Sequence, residues 1–356
     1  MPCYIKNSRA IIFLILATTL SSCGTISYYG QSVFGHLQLI RVKQDLKTVL
    51  QSTDSTAELK QRLRNVIEIR NFASEVLQLP NNNSYRSYAD IGRKYIVWNV
   101  FATPALSLQA HQSCFLLVGC LSYRGYFKKA NAVAYMENLE NKGFDVYLGG
   151  VAAYSTLGWF DDPILSSMLE RNDIELARLI FHELAHQQLY IKDDTEFNEA
   201  FADAVSSIGL EYWLETHSTN ELKKDFAFQL AREEQFTKLI LSYQDKLSLL
   251  FQQDISDANK HAQKFSIYDE LQVDYASLRA SWGDYADYDE WFKHKLNNAK
   301  VAAISTYRNL VPSFLRAYEA SGKDMNVFFS RVEKIGECES SRRRQLLRST
   351  SPIDVC

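Results

Sequence analysis

The sequence predicts an α+β protein that is mostly helical, with a small antiparallel sheet ahead of a histidine-bearing helix and a helical C-terminal half. Three observations carry this. Long stretches within 28–79 and 218–340 place apolar residues at helical spacing. Three short β-branched, aromatic or otherwise apolar runs fall between residues 95 and 154, as strands do. Residues 172–189 carry an apolar stripe that no Gly or Pro interrupts. With 356 residues, 46% of them hydrophobic, the chain can bury a large core, and 23–356 is expected to form a single domain.

Residues 1–22 read as a lipoprotein signal peptide rather than as part of the fold. Lys6 and Arg9 give a positive start, and the apolar run 10–20 is too short for a comfortable transmembrane helix. Leu20-Ser21-Ser22-Cys23 then has the form of a bacterial lipobox, with Cys23 as the acylated residue. Several acyl chains, each CH₂ contributing about 0.8 kcal/mol on insertion, would anchor the chain firmly. Gly24 follows, where Asp would favour retention in the inner membrane. The expected location is therefore the bacterial cell envelope, lipid-anchored at the outer membrane and facing the periplasm. Removing 1–22 takes away two positive charges and no negative one, so the net charge moves from −3 to −5. Nothing in that balance suggests a nucleic-acid partner.

The first helical pair is expected at 28–51 and 56–79, joined by a short loop and so antiparallel. Residues 80–83, Pro followed by three Asn, end it. Strands follow at 95–102, 114–123 and 144–154, with a helix at 125–141 between the second and third. Cys114 and Cys120 flank one end of this sheet. An exported protein can oxidise them, and sequence order favours Cys114–Cys120 and Cys338–Cys356 among three pairings. The stretch 153–163, AYSTLGWFDDP, is rich in small, aromatic and acidic residues; it is a strand end and turn, or an edge that lines a substrate groove.

The helix from 172 onward holds the chemistry. Asn172 is its N-cap and Glu175 completes a capping box. His182 and His186 stand four residues apart, so both imidazoles leave the same face. Glu183 lies about 100° round from His182, where it can reach a water at the metal without being a ligand. Catalytic zinc takes three protein ligands and keeps a place for water. Glu199, thirteen residues past His186 on a second helix beyond a turn at 193–195, is the expected third. Asp203, one turn later on the same face, can hold the free nitrogen of a ligating histidine. The chain then continues helically to 215, as one long helix over 222–264, and, past an acidic break at 284–289, as a helix over 291–318 kinked at Pro312. A last helix covers 325–335, and the arginine-rich 339–350 reads as a solvated tail.

The segment 182–203, HELAHQQLYIKDDTEFNEAFAD, resembles the bacterial predicted-aminopeptidase family of zinc metallopeptidase lipoproteins. So do IRNFASEVLQLP, YRGYF at 123–127, AYSTLGWFDDP and NNAKVAAISTY at 297–307, and the resemblance covers nearly the whole mature chain. The pairing of HELAH with NEAFAD is also similar to thermolysin-like (gluzincin) peptidases, though the spacing here is shorter. The resemblance implies Glu199 as a ligand and Asp203 as its supporting acid, with Zn2+ as the cofactor and peptides as the substrate.

The first function expected is a zinc-dependent peptidase, an aminopeptidase by resemblance, with Glu183 as general base. An oxyanion donor is expected from Tyr307, with Tyr154 and Tyr126 as the alternatives lining the substrate. Glu196, Asp161 and Asp162 are the carboxylates available to hold a substrate's amino group. The alternative is a non-catalytic, lipid-anchored envelope protein with a structural or vestigial zinc site.

Overall fold

The computed structural model describes residues 28–115, 118–217 and 219–348. Cys23 and Cys356 lie outside these, so the lipidation site and the second expected disulfide cannot be followed into the fold.

Helix α1 (28–42) leads into strand β1 (Lys43–Asp45) and helix α2 (Leu46–Gln51). The continuous helix expected over 28–51 is thus broken. Residues 43–45 pair antiparallel with β2 (Ser87–Ala89), and Asp45 then caps α2 by accepting from Lys47 N at 2.8 Å. The strand has no local signature because its partner lies more than forty residues away. Helix α3 (Ala57–Glu75) forms as expected, capped by Thr56.

Strand β3 (Val97–Pro104) is followed by β4 (Ser113–Phe115), β5 (Gly119–Leu121) and β6 (Arg124–Tyr126). The single run expected at 114–123 is a β4–β5 hairpin closed by the Cys114–Cys120 disulfide. The expected helix over 125–141 begins later, as α4 (Lys129–Glu140), because β6 claims its first residues. Strand β7 (Phe144–Val151) pairs with β3 along its whole length, giving an antiparallel sheet of order β6-β3-β7. A second small sheet, β1-β2-β8, adds β8 (Ile164–Leu165) parallel to β2.

Helices α5 (Asp173–Gln188) and α6 (Thr195–His217) form the centre of the main core. On α5, Leu176, Ala177, Ile180, Phe181, Leu184 and Ala185 are wholly buried. Each large side chain among them contributes about 1.5–3 kcal/mol. The two helices approach closely at Gly209, where an added Cβ would sit 2.5 Å from Leu77 Cδ1 and 2.9 Å from Phe181 Cδ2.

The long helix expected over 222–264 is two helices, α7 (Asn220–Gln252) and α8 (Asp257–Ala280), a hairpin with its own apolar core. Ser256 caps α8 through Asn259 N, a stop-and-start signal that the apolar pattern hides. After the short α9 (Asp289–Lys293) come α10 (Asn298–Arg308) and α11 (Val311–Ala320). Pro312 does not kink a helix. It occupies the first turn of α11, where its missing N–H costs nothing. Helix α12 (Met325–Gly336) matches the expected last helix.

The expected solvated tail is instead helix α13 (Ser340–Arg348). Arg343 and Arg344 reach the buried Asp194 at 2.9 and 2.6 Å and tie the C-terminal end to the start of α6.

Candidate metal centre

The turn between α5 and α6 aims the site. Asn198 Oδ1 accepts from Ile191 N and its Nδ2 donates to Ile191 O, both at 2.7 Å. This double bond fastens the turn to the first residues of α6. Asp194 Oδ1 accepts from Phe197 N at 3.2 Å as a helix cap. Asp193, in the left-handed region at φ 66°, accepts from Cys120 N at 2.6 Å and so docks the β4–β5 hairpin on the turn. Gly119, at φ +79°, leaves no room for a side chain there, since its Cβ would meet Asp193 Oδ1 at 2.4 Å.

With the turn fixed, Glu199 faces the two histidines. Its Oε2 lies 3.5 Å from His182 Nε2 and 3.5 Å from His186 Nε2, and the two Nε2 atoms are 3.1 Å apart. These three residues form a cluster that can hold a metal ion. The chemistry fits. Two ring nitrogens at 3.1 Å cannot both carry a proton, whereas a cation takes both lone pairs. A tetrahedral zinc with bonds of about 2.0–2.1 Å sets its donors about 3.3–3.4 Å apart, close to the triangle present.

Behind the triangle, Asp203 Oδ1 lies 3.1 Å from His182 Nδ1. Arg308 Nη1 stands 3.4 Å from the other Asp203 oxygen. Arg308 also pairs with Glu233, which takes a two-pronged bond from Arg178 at 2.7 and 3.0 Å. Four elements, α5, α6, α7 and α10, therefore share one partly buried charge chain. His186 Nδ1 is buried with no hydrogen-bond partner among the described residues, so packing holds that ring.

The electrostatics follow from this arrangement. Burial pushes the Glu183 carboxyl above its ordinary value of 4.5; His182 and His186 oppose that, and Glu199 adds to it. Burial acts on Glu199 in the same sense, but the two histidines outweigh it and hold its pKa at about 2. For Asp203, burial is overcome by Arg308, His182 and Arg178, which hold it well below 3.8. Burial lowers His182, and its bonds to Asp203 and Glu199 reverse this to about 10.

The three expected tyrosines lie in different parts of the fold. Tyr126 packs in the core between β3–β6 and α4, 5.4 Å from Tyr28 and 5.7 Å from Tyr135, centroid to centroid. Tyr154 packs on Phe127 at 5.1 Å and beside His36. The Tyr307 backbone lies in α10, and its side chain is outside what the structure describes. Among the described residues, Tyr123 and Tyr190 both feel the charge of Glu199, and Tyr123 feels Glu183 as well. Burial raises the Tyr123 phenol well above 10, and Glu199, Tyr190 and Glu183 push it further in the same direction. Tyr85 is fully buried and raised by burial, then by Glu183 and Asp162. It adopts φ 62°, an uncommon conformation for a bulky residue.

Among the carboxylates, Glu196 pairs with Arg344 at 3.1 Å, and Asp161 is exposed. Asp162 is buried and accepts from Thr156 N and Thr156 Oγ1, both at 2.8 Å. Its pKa rises to about 6, chiefly from burial, with a contribution from Glu183. The loop that carries it, 152–163, borders the cluster, since Gly158 lies against Gln187, next to His186 in the chain.

Sequence reasoning missed Tyr123 and Arg308. Tyr123 opens the same YRGYF stretch from which Tyr126 was chosen, and Arg308 follows Tyr307.

A family model described as "Putative aminopeptidase" matches residues 27–347. No curated protein and no solved structure matches the chain.

Proposed function

Since the chain belongs to the family described as "Putative aminopeptidase", we propose that it is a zinc-dependent peptidase that removes N-terminal residues from peptides. The observation that carries this is the convergence of His182, His186 and Glu199 beside a half-buried Glu183, which makes no hydrogen bond to them among the described residues. When bound, zinc supplies Lewis acidity at this point, polarising the scissile carbonyl and acidifying the attacking water. Glu183 accepts that water's proton and returns it to the leaving amine. Its raised pKa moves it toward the neutral range, where a group can both take and give a proton.

Asp203 accepts from His182 Nδ1–H, which leaves the Nε2 lone pair facing Glu199. Arg308, itself fastened by Glu233, keeps Asp203 ionised for this task. Tyr123 remains protonated at neutral pH and donates to the carbonyl oxygen as that oxygen gains charge. We assign the substrate's ammonium group to Asp162, the carboxylate on loop 152–163 that feels the charge of Glu183. The substrate is taken to be peptide at the cell envelope, with Cys23 as the lipid anchor; both rest on the sequence.

A structural zinc site is less well supported. Such sites are closed by four ligands, and among the described residues the cluster offers three. The test is Glu183→Gln. It should retain zinc and lose hydrolysis of unblocked aminoacyl substrates. Undiminished turnover would overturn the peptidase reading, and equal cleavage of N-acetylated peptides by the unaltered chain would overturn the role of Asp162.

A further inference from the structure

Helix α1 has an unusual outer face. Leu39 and Gly35 turn inward, and Gly35 lies so close to Phe127 that a Cβ would meet its ring at 2.3 Å. Opposite them, Val33, Phe34 and Leu37 are 58%, 54% and 56% exposed, and Ile40 lies on the same side. Over 28–42 the helix carries one full charge, Arg41, and no acid. A surface helix normally turns charged residues outward. This one is apolar there.

The patch does not stop at α1. Trp159 and Phe160, at the tip of loop 152–163, are 67% and 56% exposed. The Phe160 ring packs on His36 of α1 at 4.7 Å, and Lys43 Nζ donates to Asp161 O at 2.6 Å. A shallow cleft lined by Ile40, Lys43, Phe160 and Pro163, among others, joins the two surfaces. One continuous apolar face therefore runs from α1 to the loop that borders the metal cluster.

We propose that this face is a docking surface for a lipid bilayer, on which α1 lies in the interfacial plane and loop 152–163 inserts its two aromatic tips. Three features select lipid as the occupant. Only residues 24–27 separate α1 from Cys23, a reach of at most about 18 Å, and the apolar run 10–20 lies just upstream. Whichever of these holds the membrane, α1 is delivered to its surface. Trp and Phe beside basic residues, here Arg41 and Lys43, make up the side-chain set of interfacial helices facing anionic headgroups. Among the described residues no helix is long and apolar enough to cross a membrane, so lying on the surface is the mode left to α1. The consequence is that the loop carrying Asp162 is held at the membrane. The inference goes beyond the peptidase reading and does not depend on it.

The test is hydroxyl-radical footprinting of the full chain on phosphatidylcholine–phosphatidylglycerol vesicles. Phe228 and Leu249, 62% and 65% exposed on α7, serve as internal references of like exposure. Phe34, Leu37, Trp159 and Phe160 should be labelled several-fold less than these, independently of the protein-to-lipid ratio. In the Phe34→Glu, Leu37→Glu variant, labelling of Trp159 and Phe160 should rise to the reference level, with circular dichroism unchanged. If that variant fails to fold, Trp159→Glu with Phe160→Glu should deprotect Phe34 and Leu37 in the same way. Labelling equal to the references on the vesicle-bound chain would overturn the proposal. So would protection that fades on dilution, which marks a second copy, or protection of the loop that survives the helix substitutions.

Discussion

Asp203 Oδ1 lies 3.1 Å from His182 Nδ1, on the side of the ring away from the Nε2 that faces Glu199. One carboxylate thus fixes the orientation of the ring, and Arg308 fixes the carboxylate. Asp203→Asn keeps the shape and removes the charge. We expect it to weaken zinc affinity by about 10–100-fold, measured by competition with a chromogenic chelator. An unchanged affinity would mean that the contact does not orient a ligand.

Glu183 shifts in the direction opposite to Glu199 and Asp203. Its folded pKa is raised above 4.5 by burial, so its charged form costs stability at pH values above that raised pKa. The cost disappears as pH falls below 4.5, where both states are protonated. Metal-free Glu183→Gln should therefore be more stable than the unaltered chain near neutral pH, with the gain shrinking toward pH 4.5. Thermal melts of the two across that window check the sign.

Glu199 behaves in reverse. Its pKa falls from 4.5 to about 2, so the stability it contributes is present above pH 4.5 and is lost as pH drops toward 2. Glu199→Gln should flatten the acid unfolding curve of the metal-free chain in that window. An unaltered curve would show that the carboxylate does not pair with the histidines.

Tyr123 and Tyr126 are three residues apart in the chain and face different parts of the fold. Tyr123→Phe should retain zinc and lower kcat about 10²–10³-fold, as loss of an oxyanion donor does. Tyr126→Phe should leave kcat near that of the unaltered chain. A reversal of the two results would move the role from Tyr123 to Tyr126, and no effect of either would leave it with Tyr307.

Asp194 holds two arginines from α13 and caps α6. Asp194→Asn breaks a buried ion pair from one side, and a loss of about 3 kcal/mol is expected in urea unfolding. A change within experimental error would mean that α13 is not fastened there.

The site helix was legible because its signals are local. The Asn172 cap, the stripe through Phe181 and Leu184, and the four-residue histidine spacing all lie within one segment. The small antiparallel sheet was legible in its long strands, β3 and β7, for the same reason. What escaped the sequence depends on partners distant in the chain. Strand β1 exists because Ser87–Ala89 is there to pair with it. The arginines of α13 read as a solvated tail because nothing near them in sequence shows that Asp194 waits 149 residues earlier. Tyr123 was hidden because only the fold decides which tyrosine of YRGYF feels the charge of Glu199. Arg308 was hidden because its partners, Asp203 and Glu233, sit on two other helices.

The most direct test of the metal centre is zinc-edge X-ray absorption on the purified full chain, with metal content determined in parallel. The arrangement of His182, His186 and Glu199 predicts one zinc per chain in a shell of nitrogen and oxygen at about 2.0–2.2 Å, lost in His186→Ala. A chain that takes up no zinc, or a shell dominated by sulfur at about 2.3 Å, would contradict it.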